Sequence, residues 1–125
     1  MIEFHQVSKR YTSGQEALSR VDVQIARGEM VFLTGHSGAG KSTLMKLIML
    51  MERPSQGQIL IGGRNTSSIR RGSIAHYRRD IGVVFQNHQL LFDRSVFANV
   101  ALPLQVAGFA DNDIGRRVRA ALDKV

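Results

Sequence analysis

The chain has no cysteine, no tryptophan and only two prolines. The absence of cysteine excludes disulfides and thiol chemistry and agrees with a reducing compartment. No apolar run approaches the roughly 20 residues that a bilayer-spanning helix needs, so membrane association is expected only through a partner. The opening Met1-Ile2-Glu3-Phe4 passes straight into a strand-like pattern, without the charged and then apolar signature of a leader. Acidic residues are scarce, with 10 Asp and Glu against 17 Lys and Arg and a net charge of +7. Such an excess invites a nucleic-acid reading. The arginines cluster at Arg70-Arg71, Arg78-Arg79 and Arg116-Arg117-Arg119, yet only Tyr77 adjoins a basic pair and no nucleic-acid module is visible. Solvated faces or contacts to an acidic partner are the expectation, with no direct nucleic-acid contact. What remains is 43% hydrophobic and 22% charged, the composition of an ordinary globular chain long enough for one small domain.

The informative stretch is Gly35-His36-Ser37-Gly38-Ala39-Gly40-Lys41-Ser42-Thr43, which fits G-x-x-x-x-G-K-[ST], the phosphate-binding loop. Its glycines open backbone conformations closed to other residues, so that consecutive N–H groups turn inward at a helix N-terminus and form an anion nest. Lys41 places an ammonium on the β- and γ-phosphate oxygens, the Ser42 hydroxyl is the expected Mg²⁺ ligand, and Thr43 faces the α-phosphate. The flanks fit. Met30-Val31-Phe32-Leu33-Thr34 reads as a strand buried on both faces. Leu44, Leu47, Ile48 and Met51 share a helix core face, and Met45, Met49 and Leu50 make that helix apolar nearly all round.

In chain order, Ile2–Val7 reads as a first strand, and Tyr11 and the turn Thr12-Ser13-Gly14 follow it. Tyr11 is open to two roles, stacking on a nucleotide base or an ordinary half-exposed tyrosine in a turn. Val21, Val23 and Ile25 alternate with polar residues as in a half-buried antiparallel strand. Arg53-Pro54-Ser55-Gln56-Gly57 breaks the pattern, and 58–61 is a short strand closed by Gly62-Gly63. Residues 66–73 are loop-like and 74–79 suggest a short helix. Ile81–Phe85 reads as a second buried strand ending at Gln86, which either reaches the phosphate site from a strand's carboxyl end or is a generic loop glutamine. Residues 87–94 form a loop carrying Leu90, Leu91 and Phe92. Ser95 caps a helix kinked or cut near Pro103 and closed by Gly108, and Asp111 and Asp113 open a last helix with Ile114, Val118, Leu122 and Val125 on one face.

Lys9-Arg10-Tyr11, the phosphate loop, Arg53–Gly57 and Gly82-Val83-Val84-Phe85-Gln86 together resemble an ABC-type ATP-binding domain over the whole chain, and more narrowly its bacterial cell-division branch. The fold that the resemblance implies is α/β, a P-loop core with an antiparallel β subdomain, truncated at the C-terminal side. Residues 1–125 are then the N-terminal part of a single domain, because the signature motif, the Walker B aspartate with its catalytic glutamate and the switch histidine do not occur among them. The resemblance implies adenine stacking by Tyr11, contact of Gln86 with Mg²⁺ and the attacking water, and a scaffold role for Arg53–Gly57. Gly35, His36, Ser37, Gly38, Ala39, Gly40, Lys41, Ser42 and Thr43 would bind ATP, with Ser42 and Gln86 as metal ligands and Lys41 and Gln86 serving catalysis. It further implies ATP and Mg²⁺ as cofactors, a homodimer of ATP-binding subunits, an integral membrane partner at the cytoplasmic face of the inner membrane, and hydrolysis by the intact protein but not by residues 1–125 alone. Two rivals stand beside it: an ABC transporter ATPase for another cargo, such as lipoproteins or amino acids, and a soluble ABC-type ATPase acting on nucleic acid. The chain departs from the pattern at Met49-Leu50-Met51, where relatives often carry glycine.

Overall fold

The apolar–polar alternation near the N-terminus becomes an antiparallel ribbon in a computed structural model that describes residues 1–125. The chain divides into two compact units, Met1–Ile81 and Gly82–Val125. In the first, β1 (Ile2–Arg10) pairs antiparallel with β2 (Glu16–Ile25) on one side and β3 (Gln56–Ile61) on the other, and β3 continues into β4 (Arg64–Asn65). The sheet order is β2-β1-β3-β4. Phe4 lies opposite both Val23 and Ile59. Strict alternation would put Gln6 on the face of Phe4, yet Val7 is the residue buried with it. A bulge at Gln6, whose φ is 48°, makes the switch, and the Gln6 N–H donates to Asp22 Oδ1 at 2.8 Å. Gly57 is where β3 crosses this bulge: a Cβ there would stand 2.3 Å from the Gln6 carbonyl oxygen, so no larger residue fits. Gly62 and Gly63 close β3 onto β4 with positive φ at both positions, as a two-residue hairpin turn requires.

Helix α1 (Lys41–Ile48) lays Leu44, Leu47 and Ile48 on Phe4, Val7, Leu18 and Ile59 to form the core of this unit. Full burial of such side chains stabilises by about 1.5–3 kcal/mol each. The helix is not buried all round, because Met45 is 43% exposed. Met51 leaves the expected core face because the helix ends at Ile48 and Leu50 takes a left-handed φ of 53°, which turns the chain aside. That conformation disfavours a side chain by about 1–2 kcal/mol, the physical reason glycine suits this position. Two short 3₁₀ turns at 66–68 and 71–73 lead into α2 (Ile74–Arg79).

The two expected buried strands, Met30–Thr34 and Ile81–Phe85, do not form. No strand of the sheet pairs with either, and Phe32 and Val84 are 79% and 91% exposed. An extended apolar segment becomes a strand only by exchanging ladder hydrogen bonds with a neighbour.

In the second unit the Ser95 Oγ accepts from the Ala98 N–H at 3.2 Å and caps α3 (Val96–Val106) as expected. The helix is not cut at Pro103. It runs through it, and that ring gives up one backbone donor. Gly108, with φ 81°, ends it in a Schellman arrangement: Gly108 N–H donates to Gln105 and Phe109 N–H to Leu104. In α4 (Asp111–Leu122) Ile114 and Val118 are buried against Ala101 of α3. Val125 does not join that face; the helix stops at Leu122 and Val125 is fully exposed. No helix is long and apolar enough to cross a membrane.

Candidate functional site

The phosphate loop connects residues 30–34 to α1, and its backbone shows why three of its residues are glycine. Gly35, Gly38 and Gly40 all have positive φ, of 149°, 82° and 87°. Gly40 is doubly constrained. It caps the helix in the left-handed region, and a Cβ on it would lie 2.5 Å from the Ala17 carbonyl oxygen and 2.7 Å from Leu18 Cδ2 of β2. Strand β2 is therefore the floor against which the loop is pressed. A turn closes where the Ala39 N–H donates to His36 at 3.2 Å, and the first helical bond runs from the Leu44 N–H to Gly40 at 2.9 Å. The N–H groups of Lys41, Ser42 and Thr43 precede that bond and have no acceptor inside the helix.

Charge is arranged to match. No acidic residue lies in the first turn of α1 and no side chain caps it, which leaves the positive end of the helix dipole to a ligand. The Lys41 Nζ arches back over the loop and donates to the carbonyls of Gly35 at 2.6 Å and His36 at 2.7 Å. The His36 Nδ1 donates to the Ser37 carbonyl at 2.7 Å. Ser42 is exposed beside the loop, whereas Thr43 is buried with its Oγ1 3.2 Å from the Tyr11 hydroxyl. The loop thus offers an ammonium and helix N–H groups that no side chain caps. These features fit a phosphate chain. No group of three or more His, Cys, Asp or Glu could hold a metal, so a divalent ion would depend on the Ser42 hydroxyl and phosphate oxygens.

The structure brings Tyr11 to this loop, which spacing alone left open. Lys9 Nζ stands 5.2 Å from the centre of its ring and is itself held by Glu52 Oε2 at 2.8 Å and the Arg53 carbonyl at 2.9 Å. The hydrogen bond from Lys9 keeps the Glu52 carboxyl below its ordinary range. Gln86 belongs to the second unit, exposed in a turn in which the His88 N–H donates to Phe85.

Two contributors escaped sequence reasoning. One is the backing of Gly40 by Ala17 and Leu18, which requires knowing which strand lies under the loop. The other is Arg78, expected on a solvated or partner-binding face. It instead donates to the carbonyls of Met49 at 2.8 Å and Leu50 at 2.9 Å, at the far end of α1. Arg53 is engaged too, with Nη2 donating to Ile69 at 2.7 Å, which accords with a scaffold role.

Comparison with known proteins agrees with this geometry. The chain is 54% identical over its whole length to the cell division ATP-binding protein FtsE of Escherichia coli K12, and spans 56% of that relative. To the FtsE of Haemophilus influenzae it is 47% identical, spanning 58% of it. To the methionine import ATP-binding protein MetN 1 of Burkholderia ambifaria it is 43% identical and spans 37%. The chain therefore covers little more than half of the FtsE proteins it matches. Among solved structures, the dimeric ATP-binding cassette MJ0796 bound to ADP and Pi superposes with a TM-score of 0.87 at 31% identity, over 98% of this chain and 56% of that one. CbiO1 of Clostridium perfringens, part of the cbiONQ transporter complex, superposes at 0.84 with 31% identity, over 98% of this chain and 49% of that one. The model of the ABC transporter family matches residues 18–125, and with the loop geometry above it shows that the chain belongs to the ABC transporter family.

Proposed function

We propose that residues 1–125 are the N-terminal part of a single ABC ATP-binding domain in an FtsE-like subunit of bacterial cell division. That subunit couples ATP binding and hydrolysis to an FtsX-like integral membrane protein at the cytoplasmic face of the inner membrane. The observation that carries this reading is the 54% identity to FtsE across all 125 residues, with a phosphate loop whose backbone and charge suit a nucleotide. The subunit works as a homodimer, for which the dimeric MJ0796 cassette is the precedent.

Within the site, the N–H groups at the head of α1 and the Lys41 ammonium bind phosphate oxygens. Ser42 ligates Mg²⁺, Thr43 lies toward the α-phosphate, and Gln86 positions the water and the metal. Phosphoryl transfer needs a metal, an oriented water and donors on the γ-phosphate, with little covalent work for the protein. Neither the catalytic glutamate nor the signature motif is among these residues, so hydrolysis is assigned to the full-length protein.

Tyr11 provides the base platform. Tyr11→Ala in the full-length protein is expected to weaken ATP binding by about 1–3 kcal/mol, the usual worth of one stacked base. Tyr11→Phe, which keeps the ring and loses only the bond to Thr43, should cost much less. ATP and GTP should suffer alike, because stacking reads a π-face and not an edge. Unchanged affinity in Tyr11→Ala would return this residue to an ordinary turn.

The 43% identity to a methionine import protein favours one rival, a transporter ATPase for another cargo. Co-purification separates the two. The full-length protein, produced with an FtsX-like protein and, separately, with the membrane subunit of a methionine importer, is expected to be retained only by the first. Retention by the importer subunit alone would overturn the cell-division assignment and leave the ABC family untouched.

A further inference from the structure

Helix α1 carries the candidate phosphate site at its N-terminus, and its other end is held by an unrelated part of the chain. Backbone donors at the C-terminus satisfy the carbonyls of Met45, Lys46 and Leu47, through the N–H groups of Met49, Met51 and Leu50 respectively. The next carbonyls are taken in succession by adjacent residues of α2. The Tyr77 hydroxyl donates to Ile48, Arg78 Nε donates to Met49 at 2.8 Å, and Arg78 Nη2 donates to Leu50 at 2.9 Å. Leu50 is the residue held in the left-handed conformation. Burial of the Tyr77 ring raises its hydroxyl pKa, which keeps the group a donor.

We infer that Tyr77 and Arg78 are positioning residues: they clasp the C-terminus of α1 and thereby couple the phosphate loop to α2. The physical grounds are three. An eight-residue helix is too short to hold its shape by propensity alone, so fraying at one end reaches the other. A guanidinium on the last carbonyls complements the negative end of the dipole whose positive end serves the phosphates. And the bonds join the end of α1 directly to α2, so whatever orders α1 also orders α2. Coupling of this kind is reciprocal. Residues 80–85 follow α2 in the chain and lead to Gln86.

The inference rests on the nucleotide reading above, and its test distinguishes the two. Backbone hydrogen–deuterium exchange of the full-length protein is followed with and without ADP and Mg²⁺, in wild type, Tyr77→Phe, Arg78→Lys and Arg78→Gln. In wild type the nucleotide is expected to slow exchange in both 35–43 and 74–81. In Arg78→Gln the protection of 35–43 should persist with affinity reduced about two- to fivefold, the size of a helix-end charge interaction, while the protection of 74–81 is lost. Arg78→Lys keeps the charge without the fork and should recover affinity more than it recovers protection of 74–81. Tyr77→Phe, a mild change that leaves the fold intact, should weaken that protection in part. A purely structural clasp would lower stability in every variant and leave the nucleotide-dependent protection of 74–81 unchanged, which would overturn the inference while nucleotide binding stands. Absence of protection at 35–43 in wild type would overturn both.

Discussion

Lys41→Ala is expected to remove most of the ATP affinity of the full-length protein, and Lys41→Arg less of it. An ammonium desolvated against phosphate oxygens is worth about 2–5 kcal/mol when its partner is left buried, which corresponds to a loss of roughly thirty- to a few thousandfold. Arginine keeps the charge but replaces a point donor with a planar fork that the narrow loop suits poorly. The structure adds a second effect. Lys41 also ties the carbonyls of Gly35 and His36 together, so the alanine variant loses loop order before any ligand arrives. Titration calorimetry with ATP and Mg²⁺ measures the first effect. Equal affinity in wild type and Lys41→Ala would end the assignment of this loop to phosphate.

Gly40→Ala should be the most damaging change to the loop's own architecture. Its φ of 87° costs a side chain about 1–2 kcal/mol. A methyl 2.5 Å from a backbone oxygen of β2 must in addition push the loop off its floor, and such overpacking costs about 1–3 kcal/mol. The sum is about 2–5 kcal/mol, a large share of a marginal stability. Gly38→Ala is the matched control. Its φ of 82° is nearly the same, but the added methyl meets nothing within 4 Å. Urea midpoints of the two variants in the full-length protein should therefore differ, with Gly40→Ala much lower. If the two unfold at the same denaturant concentration, β2 is not the floor of the loop.

These two glycines also show what could be read from the residues in advance. That the loop needs glycine follows from local chemistry, and so do the Ser95 cap, the Gly62-Gly63 turn and the helix beginning at Lys41. The contact of Gly40 with β2 involves residues more than twenty positions away and leaves no trace in the motif. The same holds for Arg78, where a pair of adjacent arginines looks like a charged surface until its acceptors are seen. Met30–Thr34 and Ile81–Phe85 fail in the opposite sense. Their composition is that of buried strands, but a strand is a property of two segments, and these find no partner within the chain. Helix α3 passes through Pro103 because a missing donor within an otherwise satisfied helix is tolerable when its apolar side is packed on α4.

The central place of β1 in the sheet has a consequence for the timing of synthesis. Its neighbour β2 follows it almost at once, but its other edge waits for β3, so the chain from Arg10 to Gln56 must be made before that edge can close. At synthesis rates of about 5–20 residues per second the interval is roughly 2–9 s. Through those seconds a two-stranded ribbon exposes Phe4 and Val7, side chains that end fully buried, together with a row of unpaired backbone groups. The bulge at Gln6, pinned by Asp22, bends that row, and Lys9 and Arg10 charge its far end. A bent and charged edge is a poor template for a second nascent chain, so the features that shape β1 in the finished sheet also guard it while it is being made.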